Sequence, residues 1–352
     1  MKKTAILIAA LACAVVSLVA AGASGAAVEG GAKANAGTLT GAGATFPFPL
    51  ISKWIPAYDQ AAGTQINYSP IGSGGGIAAI TARTVDFGAS DAPLSPDQFT
   101  ACKGCVQIPW ALSATAVIYN VPGAPQGLKL SPAVIAQMYL GFIKKWNSPS
   151  IKKDNPGVNL PDLNITPVYR SDSSGTTYNF TDFLSKTSTA WKSRVGNSTS
   201  VNWPTGIGAR GSAGVAGVVR NTPGALTYVD VAYSLANKFS FATMRNSAGK
   251  YTTPGLRGIQ AALSQLPNRV TSLSQLKIVN PPRSAGPLAY PIVTFTYVIV
   301  PTQSNKAADL RKFIYWAVTQ GQKFGPPLLF QPLPKTVQAF AYREIKKIQG
   351  GT

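Results

Sequence analysis

Histidine is absent from all 352 residues of the sequence, which removes the commonest general base of enzymes. Ser-His-Asp and Cys-His catalysis are both excluded, because each depends on an imidazole that accepts a proton. The Gly-x-x-x-x-Gly-Lys-Ser/Thr loop of nucleotide hydrolases is also missing. These absences favour a protein that has no catalytic residue and uses neither a metal nor a cofactor.

Acidic residues are also scarce, with 12 Asp and Glu against 32 Lys and Arg, so the formal net charge is +20. Such a charge steers anions toward the protein and promotes adhesion to anionic surfaces. A nucleic-acid-binding module would cluster its basic residues with stacking aromatic residues, whereas here they are scattered, so nucleic acid is not an expected partner. Few carboxylates would also suit an acidic exterior, because little stability is lost as they are protonated.

Long apolar runs are missing except near the amino terminus, where a positively charged start precedes apolar residues 5–21. We assign residues 1–23 to a signal peptide and the Ala- and Gly-rich residues 24–38 to a flexible tether. Cys13 follows only a very short apolar run, so we do not expect it to carry a lipid anchor. The mature chain is therefore predicted to be periplasmic, and no later run approaches the roughly 20 residues that span a bilayer.

Cysteine is rare, and only Cys102 and Cys105 would remain after removal of the signal peptide. In an oxidising compartment such a pair most often forms a structural disulfide that closes a small surface loop. A thioredoxin-like redox pair is the sharper alternative, but the strand-to-helix context of that motif is not evident. Two cysteines alone supply only half of a structural zinc site.

Residues 170–177, Arg-Ser-Asp-Ser-Ser-Gly-Thr-Thr, place a cation, a carboxylate and hydroxyls where a predicted strand becomes a predicted helix. The first amides of a helix have no partner within it and carry partial positive charge, so they favour a bound anion. Gly175 would let a ligand approach the backbone closely. Serine and threonine at such a position can equally be simple helix caps. The stretch therefore indicates either an oxyanion site or a cap.

Two further segments have the same character. Residues 39–47 lead into an apolar stripe at helical spacing, so Thr45 and Phe46 lie at a second predicted helix start. A short strand is followed by Gly-Ser-Gly-Gly-Gly, which places Ser73 at a third. Asp91 ends another apolar strand among small residues only. An acid beside predicted anion-binding segments needs a specific role.

Four motifs taken in order carry a family resemblance. They are Thr-Gly-Ala-Gly-Ala-Thr-Phe-Pro at 40–47, Gly-Ser-Gly-Gly-Gly at 72–76, Val-Asp-Phe-Gly-Ala-Ser-Asp-Ala-Pro at 85–93 and Arg-Ser-Asp-Ser-Ser-Gly-Thr at 170–176. With them, the sequence from about residue 39 onward resembles the phosphate-binding subunits of phosphate ABC importers. Further matches lie at 139–147, 203–208 and 223–229.

The resemblance implies an α/β, two-lobed type II periplasmic-binding-protein fold, in which each lobe is a mostly parallel sheet flanked by helices. It implies a monomer that binds inorganic phosphate and serves the transmembrane and ATPase subunits of an ABC importer. The phosphate ligands that it implies are Thr45, Phe46, Ser73, Asp91, Arg170, Asp172, Ser174, Gly175 and Thr176.

Asp91 would accept the proton of the phosphate, and Arg170 would contact the anion while Asp172 holds its guanidinium group in place. A buried carboxylate can only accept hydrogen bonds, so it admits hydrogen phosphate and rejects sulfate, which has no proton to give. The alternative makes Asp91 a turn former at a strand end and makes Arg170 and Asp172 a solvated ion pair.

Two positions depart from the family pattern. Gly74 and Ser173 stand where relatives often have serine and glycine, respectively. Neither departure removes a side chain that the implied site needs.

Two strands, at 114–120 and 290–298, are predicted to cross between the lobes. Residues 39–117 and 292–352 would form the first lobe, and residues 118–291 the second. The ligands up to Asp91 would then lie in one lobe and the remaining ligands in the other.

Two local patterns are expected to interrupt regular structure. Residues 208–214 are Gly-rich and could lie near the mouth of the cleft between the lobes, but a mobile loop before a helix at 215–220 is the simpler account. Pro56 lies inside the first helical stripe and predicts a bend or an interruption after Ile55.

Other functions remain open on the residues alone. A secreted phosphatase could use Ser174 as a nucleophile, although phosphoryl transfer normally needs a metal or several cations. A binding protein for another oxyanion or for a sugar is the second alternative. A sugar site would favour exposed aromatic side chains, whereas the six tryptophans are expected to be core and anchor residues.

Overall fold

The computed structural model of the chain describes residues 37–351. The predicted signal peptide, Cys13 and residues 24–36 of the predicted tether lie outside this range. The strands are β1 (Thr38–Gly43), β2 (Gln65–Ser69), β3 (Phe87–Ser90), β4 (Cys105–Tyr119), β5 (Lys129–Leu130), β6 (Thr166–Arg170), β7 (Ile207–Ala209), β8 (Ala225–Asp230), β9 (Ser240–Phe241), β10 (Thr243–Arg245), β11 (Tyr251–Thr252), β12 (Val293–Pro301), β13 (Gln303–Ser304) and β14 (Gln349–Gly350).

Helices alternate with these strands along most of the chain. They are α1 (Phe48–Ala62), α2 (Ser73–Thr81), α3 (Pro96–Ala101), α4 (Pro132–Tyr139), α5 (Pro149–Asp154), α6 (Gly175–Thr187), α7 (Thr189–Arg194), α8 (Gly211–Asn221), α9 (Val231–Ala236), α10 (Leu256–Ala262), α11 (Ala307–Val318) and α12 (Lys335–Ile345). Short 3-10 helices cover Leu263–Gln265, Leu273–Leu276, Arg283–Ala285, Gln320–Phe324 and Pro326–Leu328. Within residues 37–351, no helix combines the length and the apolar character needed to cross a membrane.

A nine-stranded sheet has the order β2-β1-β3-β12-β4-β8-β6-β7, and β9 also pairs with β4. Strands β1, β2 and β3 are parallel, and so are β6, β7 and β8. We call β1, β2, β3 and β12 the first strand group, and β6, β7, β8 and β9 the second. Strand β12 runs antiparallel to β3 and β4, and β4 runs antiparallel to β8 and β9. The other strand pairs of the two groups are parallel.

Strand β4 joins the two groups. Its residues from Cys105 to Ala114 pair with β12, whereas Thr115 to Tyr119 pair with β8. All of its residues are buried, which agrees with its nearly continuous apolar sequence. Pro109 is tolerated inside this central strand because the register with β12 shifts there, at a bulge.

Aromatic side chains fill the interior beside each strand group. Next to the first group, Trp54 and Trp110 lie edge to face with ring centroids 5.4 Å apart. Next to the second, Phe180 stacks on Tyr228 at 4.3 Å, and the indole ring of Trp203 also contacts Tyr228. These packed rings fix the strands whose ends carry the predicted ligands.

Helix α1 continues through Pro56, so the predicted interruption is wrong. Pro56 and Ser52 are both exposed, and water can therefore bind the Ser52 carbonyl that a proline ring leaves without an amide partner. Tertiary packing supports the helix, because Leu50, Ile51, Trp54 and Tyr58 are all buried on its other face.

The cysteine pair lies at the end of α3. Cys102 and Cys105 are joined as a disulfide in the structure. The guanidinium group of Arg83 donates to the Cys102 carbonyl at 2.7 Å and contacts both sulfur atoms at 3.6 Å. The small loop is thus tied to the end of α2.

Candidate anion-binding site

The predicted ligands of the first strand group lie together at the carboxyl ends of β1, β2 and β3. Thr45 and Phe46 follow β1, Ser73 begins α2 after β2, and Asp91 follows β3. Parallel strands bring such positions to one edge of the sheet. We call these four residues the first wall.

Close backbone packing sets the position of α2. A side chain on Gly76 would place its Cβ 2.5 Å from the Cα of Gly43 and 2.6 Å from the Ala42 carbonyl oxygen. Only glycine lets the helix approach β1 this closely. The glycine run is therefore part of the helix, which begins at Ser73 and not after it.

The second wall consists of Arg170, Asp172, Ser174, Gly175 and Thr176. Arg170 is the last residue of β6, and Gly175 is the first residue of α6. Ser174 is the helix cap, because its hydroxyl accepts the Thr177 amide at 3.2 Å. The Ser174 hydroxyl accepts this bond and keeps its own proton, so a cap is compatible with the predicted oxyanion site.

The two walls contact each other. The Gly175 amide donates to Ser73 Oγ at 3.0 Å, and Thr176 Oγ1 donates to Asp91 Oδ2 at 3.4 Å. Arg170 Nη1 donates to Thr45 Oγ1 at 3.2 Å. A side chain on Gly175 would meet the Cβ and amide of Asp91 at 2.7 Å, so only glycine fits between the walls. The structure thus brings together all nine residues that the resemblance implied.

Arg170 and Asp172 form a buried ion pair, with side chains only 2% and 7% exposed. Arg170 Nε donates to Asp172 Oδ1 at 2.7 Å, its Nη2 contacts Oδ2, and the Gly211 amide also donates to Oδ1 at 2.9 Å. Burial opposes ionisation, but these hydrogen bonds and the Arg170 charge hold the pKa of Asp172 below its usual value. The solvated ion pair considered for the sequence is therefore wrong.

Asp91 is the buried carboxylate of the first wall and is 2% exposed. Its Oδ1 has no hydrogen-bond partner among residues 37–351. Burial raises its pKa to about 7, although the Thr296 and Thr176 hydroxyls and the Arg170 charge act in the opposite direction. A buried acceptor without a partner is costly, so the site favours a ligand that donates a proton there.

Hydroxyl and amide donors surround this carboxylate. Ser73 Oγ accepts the amides of Asp91 at 3.3 Å and Gly175 at 3.0 Å, which leaves the proton of Ser73 free to donate. The amides of Thr45, Phe46 and Thr176 donate to no acceptor in the described part of the chain. The cleft therefore presents donors from both walls, one buried acceptor and one guanidinium group.

Sequence reasoning missed several residues of the site. Helix α8 begins at Gly211, so residues 208–214 are not the predicted loop but a short strand and a helix start. Ser212 lies 2.9 Å from Thr45 across the cleft, measured between the hydroxyl oxygens. The signal that could have revealed this helix start is a Gly-Ser pair ahead of apolar residues at helical spacing.

Asp230 was also missed. It is fully buried at the end of β8 and caps α9 by accepting the Tyr233 amide at 2.7 Å. Its Oδ2 has no partner among the described residues. Burial and the charge of Asp91 raise its pKa to about 8, against the effects of the Tyr233 amide and Arg170. A second buried carboxyl group is thus electrostatically coupled to the first.

Comparisons with known proteins agree with this architecture. A family model for the PBP superfamily domain matches residues 28–320. The phosphate-binding protein PstS of Xylella fastidiosa strain Temecula1 is 40% identical over 316 residues, which cover 88% of this chain and 86% of the relative. The chain belongs to the PstS family of phosphate-binding proteins.

Other members and solved structures extend the comparison. PstS of Pasteurella multocida strain Pm70 is 38% identical over 90% of this chain and 94% of its own length. The phosphate-bound structure of the periplasmic phosphate-binding protein PfluDING aligns with a TM-score of 0.70. That alignment covers 87% of this chain and 93% of the other, at 23% identity, and it shows the shared fold. The expected two-lobed α/β fold is thus confirmed.

Proposed function

We propose that this PstS-family chain binds inorganic phosphate between its two lobes and delivers it to the transmembrane and ATPase subunits of an ABC importer. The observation that carries the proposal is Asp91, a buried carboxylate where the two donor-bearing walls meet, whose Oδ1 has no partner among the described residues. The relatives named as phosphate-binding proteins support the same ligand. The chain then acts as a monomeric periplasmic receptor and not as an enzyme.

In this proposal all nine residues of the two walls hold the phosphate or position its ligands. The first lobe comprises residues 39–117 and 292–352, and the second comprises residues 118–291. The change of partner along β4, from β12 to β8, supports a first crossing between Ala114 and Tyr119. Ligand favours closure because only the closed form lets both walls contact it.

Selectivity follows from the charges of the two walls. Arg170 supplies a fixed cation whose planar donors match an oxyanion. Asp91 requires that the oxyanion carry a proton, so sulfate leaves a buried carboxylate facing a ligand that cannot donate. Hydrogen phosphate satisfies both groups at once.

The alternatives find less support. The Ser174 hydroxyl is engaged as a helix cap, and Arg170 is the cation that donates to the first wall. A phosphatase would need an activated nucleophile and further cations or a metal. Five of the six tryptophans are at most 8% exposed and Trp203 is partly buried, so they offer no open platform for a sugar ring.

Calorimetric titration of the mature chain, freed of carried-over ligand, tests the proposal. Phosphate and sulfate are added separately at pH 8, where Asp91 is ionised, and at constant ionic strength, because the basic charge of the chain attracts every anion at low salt. We expect one-to-one phosphate binding with no comparable sulfate signal. Absence of specific phosphate binding would refute the proposed function and would favour the sugar-binding and enzyme alternatives instead.

A further inference from the structure

Ser212 has no role in the proposed phosphate contacts, yet it contacts Thr45 of the first wall. It is the second residue of α8 and is 2% exposed. Its hydroxyl oxygen is 2.9 Å from Thr45 Oγ1, so it joins the second strand group to the first wall. Either the Ser212 hydroxyl donates its proton to Thr45 Oγ1, or it accepts the proton of Thr45.

The hydrogen bonds around Thr45 decide that direction. A hydroxyl oxygen has one proton and two lone pairs, and a guanidinium group can only donate. Arg170 therefore occupies one lone pair of Thr45 Oγ1, at 3.2 Å. If Ser212 accepted the Thr45 proton, none would remain for an anion. If Ser212 donates, both lone pairs are filled and the Thr45 proton points away from them.

The Ser73 hydroxyl also has two donors on its oxygen, and both are backbone amides, which can only donate. Two backbone amides, of Asp91 and Gly175, fill the lone pairs of Ser73 Oγ and leave its proton free. Ser212 is also held firmly, because the amide of the preceding Gly211 donates to Asp172 at 2.9 Å. The buried ion pair thus positions the start of α8 against Thr45.

We propose that Ser212 is a positioning residue for phosphate binding. Its hydroxyl donates to Thr45 Oγ1, directs the Thr45 proton toward the anion, and adds a contact between the lobes that exists only when they are closed. This inference rests on the proposed function, since it assigns the Thr45 proton to phosphate.

A double-mutant cycle in the mature chain tests the inference by stopped-flow and calorimetric measurement of phosphate binding. We expect Ser212→Ala to increase the dissociation rate constant about 3- to 10-fold, the effect typical of one hydrogen bond, with little change in the association rate constant. In a Thr45→Val background, which lacks the hydroxyl, Ser212→Ala should change affinity less than about 2-fold.

Ser131→Ala is the control, because Ser131 lies at the start of another helix, α4, belongs to neither wall, and makes no capping hydrogen bond within residues 37–351. It should leave both rate constants unchanged. Thermal unfolding of the ligand-free variants shows whether each one folds. An equal effect of Ser212→Ala with and without the Thr45 hydroxyl would overturn the inference, and so would an unchanged dissociation rate. Failure of the unsubstituted chain to bind phosphate would instead overturn the proposed function, and this inference with it.

Discussion

The two walls of the cleft differ in the chemical groups that they present. The first wall offers amides, hydroxyls and the Oδ1 of Asp91, which has no partner within residues 37–351, at the ends of three parallel strands. The second wall carries both charges of a buried ion pair, Arg170 and Asp172, next to a helix start. In the proposed complex, the group that attracts the anion and the group that recognises its proton therefore belong to different walls.

This separation makes the walls independently testable. A change in the second wall should weaken binding of every anion, because it removes positive charge. A change at Asp91 should alter the choice between anions, because it removes the group that requires a proton.

Arg170→Ala should weaken phosphate binding about 10²- to 10³-fold, because it removes the cation and leaves Asp172 as a buried charge with fewer partners. Calorimetric titration measures the loss, and thermal unfolding of the ligand-free variant reports its fold. Arg210→Ala is the matched control, since Arg210 is exposed near the same strand end. A folded Arg170→Ala variant with unchanged affinity would contradict the role of the second wall.

Gly74→Ser should weaken phosphate binding about 10-fold by overpacking the closed cleft. A Cβ on Gly74 would lie 2.4 Å from the Cβ of Ser173, and the Gly74 amide donates to the Ser173 carbonyl at 2.9 Å. Adding Ser173→Gly should restore affinity, because it removes the clashing atoms. Titration of the two single variants and the double variant checks this, and a double variant no better than Gly74→Ser would refute the steric explanation.

The contact between Gly74 and Ser173 explains why the sequence departs from the family pattern at both positions together. The sequence showed serine and glycine exchanged at 74 and 173, but it could not show that the residues meet across the cleft. The contact follows from the closed arrangement of the two walls.

Stability should depend on pH through the buried carboxyl groups. In the folded protein the pKa of Asp91 is about 7 and that of Asp230 is about 8, whereas in the unfolded chain both carboxyl groups release their protons near the ordinary aspartate pKa of 3.8. The folded state then binds more protons in this interval, so the free energy of unfolding falls as pH rises from about 4 to 8.

Asp230→Asn should make that fall shallower by up to about 1.4 kcal/mol per pH unit, the value for one proton. Asparagine can still cap α9, so the helix start is kept. Urea unfolding between pH 4 and 8 in phosphate-free buffer measures the slope, and Asp97→Asn, which changes an exposed carboxyl group, is the control. Parallel curves for Asp230→Asn and the unsubstituted chain would show that Asp230 holds no extra proton.

Local sequence patterns predicted much of the fold. Apolar periodicity located β2, β6 and the helices that follow them, and glycine with hydroxyl residues marked the helix starts at Ser73 and Gly175. These features depend on neighbours within a few residues, so a single sequence contains them. Strands β4 and β12, which we expect to cross between the lobes, were located for the same reason, although both extend beyond the predicted ranges.

The remaining features depend on contacts between distant residues. Thr45 and Ser212 are 167 positions apart, and no local pattern relates them. Asp230 looks like an ordinary helix cap until the sheet buries it beside Thr115 of β4. Pro56 was expected to bend or interrupt α1, but the helix is not interrupted, because burial of its opposite face outweighs one lost hydrogen bond. These three features are therefore set by tertiary packing, which local sequence patterns do not reveal.

The most direct test of the central claim compares phosphate and sulfate binding by the Asp91→Asn variant and the unsubstituted chain at pH 8. Asp91 is ionised there, and hydrogen phosphate still carries a proton that it can donate. We expect the ratio of phosphate to sulfate affinity to fall by about 10² or more in the variant, because an amide can donate to sulfate and a carboxylate cannot. An unchanged ratio would contradict the claim that Asp91 selects phosphate by accepting its proton.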